Sequence, residues 1–194
     1  VQDNLGCKQN VNYQTKVTIN PLPIVEAGTP FTVCAGTTIV LTGSGEAQQY
    51  IWDNGVTNGI PFVPTDTTTY TVIGIDHNSC ENTDQVTVNV VPIPVMNISG
   101  VNLSGCPPVI PTLYNNSTGN LTNCTWYLGN GEVIVGCGAA SSVFDTPGCY
   151  DVTLEVSTPE GCANSLTLGN YICVDQIPTA DFYADPAVLS TYDW

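Results

Sequence analysis

The chain says nearly the same thing twice, and that repetition constrains its architecture more than anything else in it. Asp76-His77-Asn78-Ser79-Cys80 leads into an alternating run from Asp84 to Val91 and leaves through Pro92-Ile93-Pro94. The opening follows the same plan, with Asp3-Asn4-Leu5-Gly6-Cys7, then Lys16-Val17-Thr18-Ile19-Asn20, then Pro21-Leu22-Pro23. Self-similarity at a fixed period is the signature of a modular array. Residues 1–20 therefore read as the end of one module, 21–92 and 93–176 as complete modules, and 177–194 as the start of another. Proline fixes φ and favours extended geometry, so the Pro-x-Pro joints read as short, stiff spacers in a rod-like array.

Each module reads as all-β. No 3.6-residue apolar period is sustained, and 18 Gly and 14 Pro interrupt the chain throughout. Alternating runs recur at Thr38–Thr42, Thr69–Ile73, Asp84–Val91 and Tyr150–Val156. Short alternating strands with regular turn signals predict tandem antiparallel β-sandwiches. Strands are expected near 22–26, 31–34, 37–43, 48–53, 60–63, 68–75 and 83–91. In the next module they are expected near 95–100, 108–116, 123–129, 132–136, 141–145, 149–157 and 164–174. Trp52 precedes the turn Asp53-Asn54-Gly55, and Tyr70 and Val72 should face the core one strand later. Trp126 stands likewise before Gly129-Asn130-Gly131. Both tryptophans read as core plugs, not as a carbohydrate platform.

Composition excludes several function classes. Seventeen acidic residues face two basic ones, Lys8 and Lys16, for a formal net charge of −15. Such a surface repels nucleic-acid backbones and anionic headgroups. No apolar run approaches the ~20 residues of a spanning helix, so direct membrane insertion is not expected. Nine cysteines indicate an oxidising compartment. Zinc sites need closely spaced cysteine pairs, often with histidine; there is no C-x-x-C, and His77 is the single histidine. With no Lys or Arg beyond Lys16, trypsin should leave the remainder uncut even when unfolded.

The segment Trp126-Tyr127-Leu128-Gly129-Asn130-Gly131, followed by Phe144-Asp145-Thr146-Pro147-Gly148-Cys149-Tyr150-Asp151-Val152-Thr153-Leu154-Glu155-Val156, resembles the polycystic-kidney-disease-type (PKD) domain. It carries Leu128 where that family has Phe, Asn130 for Asp and Phe144 for Tyr. Ala180-Asp181-Phe182 looks like the first strand of a following PKD-like domain. The segments Val33–Thr42, Tyr50-Ile51-Trp52, Thr68–Val72 and Ser79–Asp84 look like the immunoglobulin-like repeats of very large surface proteins of gliding Bacteroidota, exported by type IX secretion. The resemblance implies a non-catalytic, secreted, extracellular segment of a cell-surface adhesin or filament, acting as a rigid spacer in adhesion or gliding. Its implied partners are neighbouring domains of the same long chain, surface glycans and other adhesin subunits. The competing expectation is an accessory or glycan-binding stalk of a secreted hydrolase. Asp66-Thr67-Thr68 resembles the O-glycosylation sequence of Bacteroidota.

The cysteines pair off by position. Cys124 with Cys137 flanks a hairpin, and Cys149 with Cys173 flanks the 158–162 turn. Modules normally carry their own covalent ties, so the rest are expected to pair as Cys34–Cys80 and Cys106–Cys162, with the partner of Cys7 lying upstream. Strand length objects. A six-residue strand spans ~20 Å, whereas a disulfide needs Cα atoms within ~7 Å. The rival is a staple from Cys34 to Cys162.

No catalytic constellation is expected. His77 beside Asp76 reads as a solvated turn residue, without the ordered partners of a triad. Scattered carboxylates read as surface rather than a glycosidase pair. Weak calcium candidates are Asp76, Asn78, Glu81 and Asp84 around one loop, with Glu26, Asp66 and Asp175 near joints, although none matches a defined calcium loop. No cofactor is expected. Sequons at Asn97, Asn102, Asn116, Asn120 and Asn123 read as polar β-surface.

Overall fold

A computed structural model describes residue 17 and residues 19–180. Cys7, both lysines, Phe182, Trp194 and most of the two flanking module fragments lie outside the described residues. Among the described residues every regular element is a β-strand. The chain divides into two compact units. One holds the residues up to Phe31 and Gly36–Asn89; the other holds Thr32–Ala35 and the residues from Val90 onward.

In the first unit β1 (Val25–Glu26) pairs antiparallel with β3 (Ser44–Gly45). β4 (Gln49–Trp52), β5 (Thr68–Ile75) and β6 (Glu81–Val91) form a sheet in the order β2-β6-β5-β4 with β2 (Phe31–Cys34), of which Thr32–Cys34, like Val90 and Val91 of β6, belong to the second unit. The period-2 rule is obeyed: Tyr70 and Val72 on β5, and Val86 and Val88 on β6, point inward and are buried with Trp52, Ile39 and Leu41. The strands expected near 37–43 and 60–63 shrink to a bridge between Ile39 and Phe62, with the short β3 behind the first.

In the second unit β7 (Ile98–Val101) pairs with β9 (Thr112–Asn115). The larger sheet contains β8 (Ser104–Gly105), β10 (Asn123–Leu128), β11 (Val133–Val135), β12 (Gly148–Ser157) and β13 (Ala163–Val174). Its order is β11-β10-β12-β13-β8, antiparallel except where β8 runs parallel to β13. Bridges Val109–Phe144 and Leu113–Ala140 replace the strand expected near 141–145. The core gathers Leu113, Trp126, Phe144, Val152, Leu154 and Ile172, each worth ~1.5–3 kcal/mol of apolar burial.

The glycines after Trp126 have separate causes. A Cβ on Gly129 would lie 2.9 Å from the Asp151 carbonyl oxygen, so the hairpin end closes onto β12 only without a side chain. Gly131 turns the hairpin at φ +95°, a region that favours glycine. Asn130 secures the turn: its Oδ1 accepts from the Glu132 N–H at 3.1 Å and its Nδ2 donates to the Val143 carbonyl at 3.1 Å.

Candidate functional site

The residues that carry chemistry here are the cysteines, and the strands decide which of them meet. Each long last strand starts at a tight turn bearing one cysteine. Before β6, the Asp76 N–H donates to the Cys80 carbonyl at 3.1 Å, and Asp76 Oδ1 accepts from the Cys80 N–H at 2.8 Å. Before β13, the Thr158 N–H donates to the Cys162 carbonyl at 3.0 Å, and Thr158 Oγ1 accepts from the Cys162 N–H at 3.3 Å. Two residues further on, an asparagine ties the turn to the Pro-x-Pro segment opening its own repeat. Asn82 Nδ2 donates to the Pro23 carbonyl and Asn164 Nδ2 to the Pro94 carbonyl, both at 2.9 Å. Cys80 and Cys162 thus occupy one position in two sequence repeats.

Cys34 and Cys106 share another. Cys34 ends β2, and the N–H of the next residue, Ala35, donates to the Val91 carbonyl at the end of β6 at 2.8 Å. Cys106 follows β8, where the Asp175 N–H donates to the Gly105 carbonyl at 2.8 Å, beside the end of β13. Each repeat thus carries one cysteine near the start of its last strand and one near its finish.

That placement corrects two expected bridges. Cys34–Cys80 would have to span β6, whose 11 residues extend ~35 Å. Cys106–Cys162 would have to span the 12-residue β13 in the same way. Neither approaches the ~7 Å limit. Instead Cys34 bonds Cys162, with a Cα–Cα distance of 5.5 Å and a sequence separation of 128. Both belong to the second compact unit, and local ties bring them together. Ala35 is held by Val91, and Pro94, three residues later, is held by Asn164, two residues after Cys162. Cys80, half-buried, and Cys106, exposed, are free thiols rather than half-cystines.

The other two bridges form where the hairpins imply them. Cys149 and Cys173 are directly opposite in the β12–β13 register, with Cα atoms 4.1 Å apart. Cys124 on β10 bonds Cys137, just past β11, at 4.8 Å. These three disulfides, together with the all-β build, mark an extracellular-type domain.

Two of the calcium candidates, Asp76 and Asp84, give carboxylate oxygens to backbone N–H groups. Asp76 Oδ1 also accepts from the Asn78 N–H at 2.8 Å. Desolvation pulls the Asp76 carboxyl up but is outweighed by the Cys80 and Asn78 donors and the nearby His77, which hold it below its ordinary value. Asp84 Oδ2 accepts from the Ala27 N–H at 2.7 Å; that bond and the Gln85 N–H hold its pKa down, against burial. Glu81 and Asp84 stand three apart on β6 and so face opposite sides. Among the described residues no three His, Cys, Asp or Glu side chains gather as a metal site. His77 is exposed. Trp52 and Trp126 are buried, as expected of core plugs. A shallow hollow of about 560 Å³ on β10, β12 and β13 is lined by Asn123, Thr125, Glu155, Ser157, Asn164 and Ser165, with no aromatic among its walls. Among the described residues no helix is long and apolar enough to cross a membrane.

No protein-family model matches the sequence, and no curated protein matches it. Among solved structures, the chain is similar to the PKD1 domain of the Vibrio cholerae metalloprotease PrtV at 24% identity. That alignment covers 43% of this chain and 99% of that one, with a TM-score of 0.36. The fibronectin(III)-like modules of Clostridium thermocellum CbhA align at 14% identity over 83% of this chain and 100% of that one, TM-score 0.34. DIP-gamma IG1+IG2 aligns at 14% identity over 81% of this chain and 99% of that one, TM-score 0.40.

Proposed function

We propose that the chain is a non-catalytic structural segment of a secreted cell-surface adhesin or filament, a rod of tandem immunoglobulin-like and PKD-like modules that acts as a rigid spacer in adhesion or gliding. The reading rests on one observation: Cys34–Cys162 closes a loop of 128 residues. A chain pulled from its two ends passes its load through that bond. The strands inside the loop are shielded, and most of the polypeptide cannot pay out. Such a bypass suits a tether under tension. The acidic, almost lysine-free surface suits an exported filament that must not adhere to itself or to anionic envelopes.

Force spectroscopy on the chain held at its termini tests this. Reduction should lengthen the fully extended contour by ~430 Å, at ~3.4 Å per residue over the loop. An oxidised chain that stretches as far as the reduced one removes the load-bearing role. The glycan-binding alternative predicts retention on a glycan array, and the spacer predicts none.

A further inference from the structure

Cys80 and Cys106 are free, yet each stands where its counterpart in the other repeat is bonded. Cys34, at the β2 position, is joined to Cys162, at the turn position one repeat later. Cys106 is the β2-position cysteine of that later repeat, and Cys80 is the turn-position cysteine of the earlier one. The bonds at Asp76 and Thr158 and at Asn82 and Asn164 match donor for donor and fix the turn position; Ala35 and Asp175 mark the strand-end position, where the β2-type segment meets the end of the last strand with donor and acceptor exchanged.

We infer that Cys80 and Cys106 are the two open ends of a disulfide ladder, in which every β2-position cysteine bonds the turn cysteine of the repeat that follows it. Cys106 takes the turn cysteine of the next repeat along the chain. Cys80 takes the β2-position cysteine of the repeat before. Cys7 lies outside the described residues, but its Asp-x-x-x-Cys spacing is that of Asp76 and Cys80, which makes it in sequence the counterpart of Cys80 rather than its partner. The inference rests on the modular-array reading above and deepens it: the chain's own neighbouring modules are the partners, and a cystine between them is the means of joining. The load path then continues from one loop-closing cystine to the next.

Each link forms by two thiol–disulfide exchanges with a dithiol/disulfide oxidase of the export compartment. The Cys106 thiolate attacks the oxidase disulfide, giving a mixed disulfide and one oxidase thiolate. The neighbouring turn thiolate then attacks the Cys106 sulfur and expels the second oxidase thiolate. Two protein thiols become one disulfide, and the oxidase disulfide becomes a dithiol carrying the two electrons and two protons. Exposure of Cys106 and half-exposure of Cys80 give the access this exchange needs.

The test is alkylation with iodoacetamide followed by peptic, non-reducing peptide mapping, applied to the 194-residue chain and to the full secreted protein. In the 194-residue chain both Cys80 and Cys106 should be labelled, while Cys34 and Cys162 are not. In the full protein neither should be labelled; Cys80 should appear linked to a peptide of the preceding repeat and Cys106 to one of the following repeat. Labelling of either thiol in the full protein, a Cys80–Cys106 or Cys7–Cys80 peptide, or a link between two copies of the chain overturns the ladder. If flanking repeats are present and these thiols are free, the ladder fails and the array stands. If the full protein has no flanking repeats, the array reading falls and the ladder falls with it.

Discussion

Trp52 and Trp126 are the same residue in two repeats with opposite solutions to one problem. Trp52 lies on β4, the edge strand of its larger sheet, and Trp126 on β10, one strand in from the edge of its own; they pair with Val72 and Leu154, and both are buried. An indole N–H taken out of water needs an acceptor. In the first repeat Asn58 supplies it: Oδ1 accepts from Trp52 Nε1 at 3.0 Å and from the Gly43 N–H at 2.8 Å. In the second repeat Trp126 Nε1 has no partner. That repeat has a larger apolar core and two disulfides within its own sheet, Cys124–Cys137 and Cys149–Cys173. The first unit has a smaller buried core and, among the described residues, no disulfide within it, and it pairs its buried indole. A well-tied sandwich carries an orphaned donor that a lightly tied one would not easily tolerate.

Removing bridges should break this comparison most visibly. In the chain-entropy model, Cys34→Ala/Cys162→Ala costs about 5 kcal/mol and Cys124→Ala/Cys137→Ala about 3 kcal/mol, because the first closes a far longer loop. Guanidinium unfolding curves of the two double variants against the parent measure both; equal losses would contradict the ranking. Next in size, Asn58→Ala should cost about 2 kcal/mol, since it strands two donors at once. The tryptophans sharpen the contrast directly. Trp52→Phe loses a made hydrogen bond, whereas Trp126→Phe discards an unmade one, so the first should cost at least about 1 kcal/mol more by thermal melts. Equal costs would mean that the two indoles are not in different positions energetically.

The smallest effect is acid sensitivity. Asp76 and Asp84 titrate below 3.8 in the folded chain. Their contribution is complete above that value and is lost as pH falls through the lowered folded pKa, because protonation then releases the bonds to Cys80, Asn78 and Ala27. Both residues belong to the first repeat. The corresponding turn of the second repeat is held by the Thr158 hydroxyl, which does not ionise. Amide hydrogen exchange followed as pH is lowered from 6 to below the ordinary aspartate range, corrected for intrinsic rates, should show protection lost at Cys80, at a pH below that of an ordinary aspartate, and unchanged protection at Cys162. Asp76→Asn should abolish most of the difference at Cys80.

Much of the fold was legible in the sequence because its signals are local. The alternation of Thr69 to Ile73 and of Tyr150 to Val156 marked β5 and β12, and Pro147-Gly148 marked where β12 begins. The hairpin cysteines were legible because both pairs lie on antiparallel neighbours: Cys124 and Cys137 are 13 residues apart across one hairpin, and Cys149 and Cys173, 24 apart, come level through the β12–β13 register. The smaller sheets were overestimated. Thr37 to Gly43 alternates as a strand should, yet it pairs only through Ile39 and the short β3, because how far a strand pairs depends on its neighbour. Trp126 gave no hint that its donor would go unpaired. Asn58, which satisfies Trp52, could have been suspected from its place six residues on, across the Asp53-Asn54-Gly55 turn.

Local residue patterns set what each stretch of this chain is: alternating strands, tight turns, proline joints, and one cysteine at each end of a repeated phrase. Which sulfurs meet was settled by long-range packing. Pairing within a module is plausible on paper, but β6 and β13 are rods several disulfides long, and they hold the two cysteines of a repeat at opposite ends. A bond a few ångströms in reach must close where backbone ties have already brought the chain together, and here that is Cys34 with Cys162.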